Sequence, residues 1–154
     1  QIVVPSTTII IVAIENAWRQ ERPWDVLCHQ RADNGYFGFV GGAMEPGESI
    51  EECAHREALE ETGLVVALHR LVCVDSDPRH GAIGVYPTGP HHFCNLTFVA
   101  PPLSGILYPS RESRQLIWAR TDRLPEPFLP AHRWRLTQAM ATQWELPYRE
   151  VIVR

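Results

Sequence analysis

Between Glu45 and Glu61 the chain places seven glutamates and one arginine, a local charge of −6 against a formal total of −4. The remaining residues hold 13 basic and 11 acidic side chains, a balance of +2. Such a density of carboxylates suits a hard divalent cation, which takes oxygen ligands and often shares them with substrate phosphates. All fourteen basic residues are arginine. The absence of lysine excludes a Walker-type phosphate loop and a Schiff-base mechanism, while the guanidinium forks suit oxyanions. Charge alone leaves a solvated acidic helix as the alternative.

The helix that must carry these carboxylates is well punctuated. Pro46-Gly47 precedes it, Ser49 and Glu52 form a capping box, and Thr62-Gly63 stops it. At 100° per residue, Glu57, Glu60 and Glu61 share one face, with Ile50, Cys53 and Ala54 one or two turns earlier. The apolar half predicts docking against the body, which draws the three carboxylates inward. Glu51 and Glu52 point elsewhere, toward solvent. Arg56 stands four residues from both Glu52 and Glu60 and can brace either. Upstream, Gly41-Gly42 offers backbone that a metal or phosphate can approach closely.

Around this helix the pattern predicts strands at Thr7 to Ile14, Trp24 to Gln30, Leu64 to Val74, Phe93 to Val99, Leu116 to Ala119 and Glu150 to Val153. Asp75 to Pro90 reads as a long loop, Leu124 to Pro130 as a proline-rich connector, and Ala131 to Glu145 as a second helix stopped at Pro147. The stripe from Trp134 to Met140 reads as helical core. One helix between early strands implies an α/β fold with a mixed sheet. No repeat or linker divides the chain, so residues 1–154 are expected to form a single domain.

Composition narrows the partners. The net charge disfavours a nucleic-acid-coating surface, and the longest apolar run, Ile9 to Ile14, is too short to cross a membrane as a helix. No signal-peptide pattern opens the chain, which begins on Gln1 as a trimmed sequence would. Cys28, Cys53, Cys73 and Cys94 stand singly, which suits a reducing cytoplasm and neither zinc nor disulfides. His91 and His92 open a strand without metal spacing. Val151-Ile152-Val153 either pairs across a homodimer or closes the chain's own sheet.

Gly42, Glu48, Arg56, Glu57, Glu60, Glu61 and Gly63, followed by Leu64, fit G-x5-E-x7-R-E-U-x-E-E-x-G-U. In this chain the segment reads GAMEPGESIEECAHREALEETGL and covers about 15% of the length. It resembles the box of the Nudix hydrolases. Ala58 replaces a larger aliphatic and Val40 a frequent proline, both at packing positions. The resemblance implies an α/β/α sandwich that hydrolyses a nucleoside diphosphate linked to another group, with Mg²⁺ or, alternatively, Mn²⁺.

Carried over, Glu57, Glu60 and Glu61 are metal ligands, one of them also a candidate base, the Gly42 region adds a backbone carbonyl, and Arg56 with Glu48 orients the carboxylates. In many members a later glutamate completes the metal site or acts as base, and Glu112 is the candidate here. Arg31 and Arg79 are candidate phosphate or ribose contacts, beside Gly41; Phe39, with Tyr36 and Phe37, is a candidate stacking face or core. Members of the family that cleave ADP-ribose often carry a proline about fifteen residues past the box, and Pro78 lies fourteen past Leu64. This resemblance favours ADP-ribose or another ADP-sugar as the small-molecule substrate. A nucleoside triphosphate is the second class. A nucleotide-sensing module without turnover and an isoprenyl diphosphate isomerase share the fold, but the intact box favours a hydrolase over both.

Overall fold

A computed structural model describes residues 2–19, 22–80, 83–141 and 151–154. Its spine is β1 (Ile2–Ile11), whose β-branched residues suit a strand buried on both faces. One neighbour, β8 (Gly89–Ala100), runs parallel to it over ten residues; the other, β4 (Val40–Ala43), is antiparallel. Beyond β8 lie β6 (Arg70–Asp75), antiparallel, and then β11 (Ile152–Val153), parallel to β6. The sheet is therefore mixed, as expected. A second sheet joins β2 (Asp25–Arg31) to β3 (Phe37–Gly38) and β10 (Ser113–Arg120).

Successive residues of β1 face opposite sides, and each side has its helix. Ile9 and Ile11 pack with Ala54 and Ala58 of α2 (Ile50–Thr62). Ile10 and Val12 pack with Leu136 and Ala139 of α3 (Pro130–Ala141). Ile9, Ile10, Ile11 and, just past the strand, Val12 are fully buried, each such side chain contributing roughly 1.5–3 kcal/mol. The result is an α/β/α sandwich. Trp134 and Met140 lean on the α3-side core, in line with the predicted stripe.

Several boundaries differ from expectation. The first strand starts at Ile2 and ends at Ile11; Ile14 instead opens a short helix, α1 (Ile14–Arg19). The single strand expected over 64–74 breaks at 67–69, because the chain changes partners there. β5 (Leu64–Val66) pairs with β9 (Pro102–Gly105), whereas β6 pairs with β8. The expected loop over 75–90 contains a 3₁₀ turn at Pro78–His80 and a strand, β7 (Ile83–Tyr86), which forms a hairpin with β8. The predicted end of the second helix at Glu145, its stop at Pro147 and the start of the last strand at Glu150 lie outside the described residues. Ile152 and Val153 pair with Cys73 and Val74 of the same chain.

Candidate active site

The α2 helix is fixed at both ends by its own sequence. Ser49 Oγ accepts the Glu52 N–H at 3.1 Å, and the Glu52 carboxylate accepts the Ser49 N–H at 3.0 Å. Gly63 closes the helix at φ +78°, donating its N–H to Leu59 O, and a Cβ there would overlap the Ile106 carbonyl. Because Glu52 is spent on the cap, Arg56 does not brace it. The guanidinium instead forks onto Glu48 at 2.7 and 2.9 Å and reaches Glu57 at 2.8 Å and Glu60 at 3.2 Å. It also donates to the Ala43 carbonyl at 3.1 Å, tying α2 to the end of β4. Five directed N–H groups make arginine the side chain that can hold three carboxylates at once.

The glutamates do not share one environment. Glu60 is largely exposed, with 59% of its side chain accessible. Glu57 is mostly covered and lies against Gly42, where a Cβ would come within 2.6 Å of its carboxyl carbon. Glu61, 5% exposed, accepts the Gly41 N–H at 2.8 Å. Burial first, then the nearby Glu57 and Glu112, push the Glu61 carboxyl up to about 9. Burial also raises Glu57, against the pull of Arg56. Glu48, in contrast, is held down at about 2 by its hydrogen bonds from Arg56.

Glu112 therefore joins the box glutamates at the acidic end of a cleft of about 1110 Å³, together with Gly41, Gly42 and Glu61. Among the described residues, no three carboxylate, imidazole or thiol groups already stand as a formed metal chelate. What the site offers is more hard oxygen donors near a buried surface than Arg56 alone can compensate, chemistry that suits a divalent cation. The Gly42 carbonyl, expected near the metal, accepts from Thr7 Oγ1 at 3.3 Å.

The remaining expected contacts divide. Arg31 lines the cleft, with its fork on Asp33 at 2.7 and 2.9 Å. Arg79 lies outside the lining: its side chain is 83% exposed and its guanidinium is bound to Asp77. Phe39 is only 1% exposed and packs edge-on to Phe128 and parallel to the His132 ring, so it is a wall of the cleft rather than an open stacking face. Phe37 is likewise buried, whereas Tyr36 is exposed.

Two histidines were missed by sequence reasoning. Phe39 lies between β3 and β4, and its N–H goes to His132 Nδ1 at 2.9 Å instead of a strand partner. His29 pairs through Nδ1 with Ser113 Oγ at 2.7 Å and also binds the Phe39 backbone. Burial pushes His29 down to about 4 and His132 well below the usual imidazole range. Both stay neutral and grip the crossover that leads into Gly41.

With this geometry in hand, comparison with known proteins is decisive at the family level. The sequence model of the NUDIX domain matches residues 5–140. The chain belongs to the Nudix family. It is 30% identical over 115 residues to a MutT-like protein of Streptomyces ambofaciens, covering 75% of this chain and 68% of that one. An ADP-ribose pyrophosphatase of Methanocaldococcus jannaschii is 28% identical over 109 residues, covering 69% and 60%. The chain spans only 20% of another relative, the NAD-capped RNA hydrolase NudC of Vibrio cholerae. A solved ADP-ribose pyrophosphatase from Streptococcus suis superposes with a TM-score of 0.72 over 98% of both chains at 18% identity, a likeness of fold. Nudix enzymes are diphosphate-cleaving hydrolases that generally use divalent metal, and the acidic end of the cleft is where this Nudix box lies.

Proposed function

We propose that this chain is a Mg²⁺-dependent hydrolase, with Mn²⁺ able to substitute, that cleaves the diphosphate of ADP-ribose or another ADP-sugar. The observation that carries the reading is the meeting of Glu61 and Glu112 at one end of the cleft, with Glu57 behind them against Gly42, braced by Arg56 and the Gly41 N–H. A divalent ion bound there would polarise the phosphoryl oxygens and offset the charge of the diphosphate. Glu57, Glu60 and Glu61, with the Gly42 backbone, would hold it. Arg56 and Glu48 keep those carboxylates in place. We assign Glu112 as the group that takes a proton from the attacking water, since it faces Glu61 from a separate loop. Arg31 serves as a phosphate contact on the cleft wall, exchanging an exposed Asp33 pair that contributes little stability. We read the described residues as one domain.

The Methanocaldococcus relative supports an ADP-sugar, and a nucleoside triphosphate is the second class. A panel separates them: ADP-ribose, other nucleoside diphosphate sugars, dinucleoside polyphosphates and oxidised dNTPs, each with Mg²⁺, with products identified by chromatography. AMP and ribose 5-phosphate from ADP-ribose, lost in Glu57→Gln, is the expected result. Turnover confined to triphosphates would replace the substrate class, and ligand binding without any turnover would make the chain a sensor.

A further inference from the structure

Away from the carboxylates, the floor of the same cleft is a row of polar side chains laid across the central sheet. Ser6 of β1 stands opposite Asn95 of β8, and Asn95 stands opposite Asp75 of β6. All three are buried yet line the cleft. A sheet face packed on a helix is ordinarily apolar, and this one becomes so only two rows further on, at Ile10. Buried polar groups outside the packed core need partners or a ligand.

Accounting for the hydrogen bonds singles out one member. Asp75 is committed: Arg154 forks onto both its oxygens at 2.9 and 3.0 Å, and Arg135 lies 3.7 Å away. Arg154 is committed as well and lies over the Trp134 ring at 3.4 Å. Arg135 donates to Thr8 Oγ1 at 3.2 Å and, among the described residues, keeps its buried Nε–H without a hydrogen bond. Asn95 donates one amide hydrogen to Ser6 Oγ at 3.0 Å and accepts from Thr97 Oγ1 at 3.3 Å. An amide has two hydrogens and two lone pairs on oxygen, so one of each remains, on a side chain that faces the cleft.

We infer that Asn95 reads the nucleobase of the substrate and that the base it fits is adenine. One donor beside one acceptor is the amide edge that pairs with an exocyclic amino group next to a ring nitrogen, as adenine presents. Guanine is matched by an arginine fork, and here the Arg154 fork is closed on Asp75, while Arg135 is turned on Thr8 and Asp75 with only its Nε–H lacking a hydrogen bond. His91 and Phe93 share the Asn95 face by strand alternation and also line the cleft, supplying aromatic surface beside that edge. Asn95 lies two strand spacings, about 10 Å, from β4, whose Gly41 binds Glu61. A nucleotide can therefore have its base at one place and its diphosphate at the other. This inference deepens the ADP-sugar reading and rests on it.

The test compares AMP with IMP, in which a carbonyl replaces the amino group. Calorimetric binding of each to wild type, Asn95→Leu and Asn95→Ser is measured beside kcat and KM for ADP-ribose and its hypoxanthine counterpart. Wild type is expected to bind AMP roughly 10–100-fold more tightly than IMP. In both variants that preference collapses, and KM for ADP-ribose rises while kcat stays within about threefold. Equal binding of AMP and IMP by wild type, or an adenine preference retained in either folded variant, would overturn the inference. The two readings fail separately. Adenine-selective binding without ADP-ribose turnover defeats only the activity, and Glu57-dependent turnover indifferent to the base defeats only the role of Asn95.

Discussion

The two ends of the cleft are built on opposite electrostatic principles. At one, a single helix gathers more carboxylates than its arginine can satisfy, and burial leaves Glu57 and Glu61 strained toward protonation. At the other, strands and α3 assemble polar groups that largely satisfy one another, with the Asn95 edge and the Arg135 Nε–H the parts left over. The first arrangement is poised for a cation and for chemistry. The second is stable as it stands and suits recognition. Placing them on one cleft separates rate from specificity.

The sharpest way to break this division is at the acidic end. Glu61→Gln is expected to lower kcat by roughly 10³-fold while leaving nucleotide binding nearly intact. Steady-state kinetics beside AMP titration checks this, and a loss confined to KM would erase the distinction between the ends. Next in size is Arg56→Lys, which keeps the charge but cannot fork onto Glu48 while holding Glu57 and Glu60. Its activity should fall roughly 10–100-fold, as for other groups that orient metal ligands.

Two glycines sharpen the comparison between local and long-range support. In Gly42→Ala the new methyl meets the carboxyl end of the Glu57 side chain rather than backbone, so activity drops with little change in Tm. In Gly41→Ala it meets the Thr7 carbonyl of β1, so the strand pairing and the Tm suffer as well. Thermal melting with parallel assays distinguishes them.

The pH dependence of stability probes the histidine grip between the ends. His29 titrates at about 4 when folded, against 6.5 for an ordinary imidazole. Between those values the unfolded chain binds the extra proton, so stability rises with pH. The contribution is complete above pH 6.5 and is lost as pH falls toward 4, a range worth about 3 kcal/mol. The raised Glu61 contributes a slope of the opposite sign above about pH 4.5. The His29 slope is therefore read from the difference between denaturant melts of wild type and His29→Gln, which should grow with pH from 4 to 6.5 and then level. Smallest of all is Arg79→Ala, which should change kcat/KM less than about twofold, since an exposed pair outside the cleft has little to lose.

The difference between the ends also explains what could be read from the chain. Glu57, Glu60, Glu61 and Arg56 are helix neighbours, so their spacing alone carries their proximity. The capping box and Gly63 were equally local. Asn95, Asp75, Ser6 and Arg135 are brought together by strand order and register, which no local spacing encodes. A trace was present: Asn95 and Thr97 interrupt an apolar strand on alternate residues, marking one polar face. The split of 64–74 into two strands was hidden for the same reason, since it follows from a change of pairing partner. Arg79 looked suitable by type and position in a loop, but Asp77, two residues away, claims it.

The central claim, that the carboxylate end performs the chemistry, is tested most directly by a Mg²⁺ titration of ADP-ribose hydrolysis in wild type and Glu57→Gln. Saturable activation in wild type, with activity in the variant reduced by orders of magnitude at every Mg²⁺ concentration, is the predicted result. Comparable metal-dependent turnover in both proteins would contradict it.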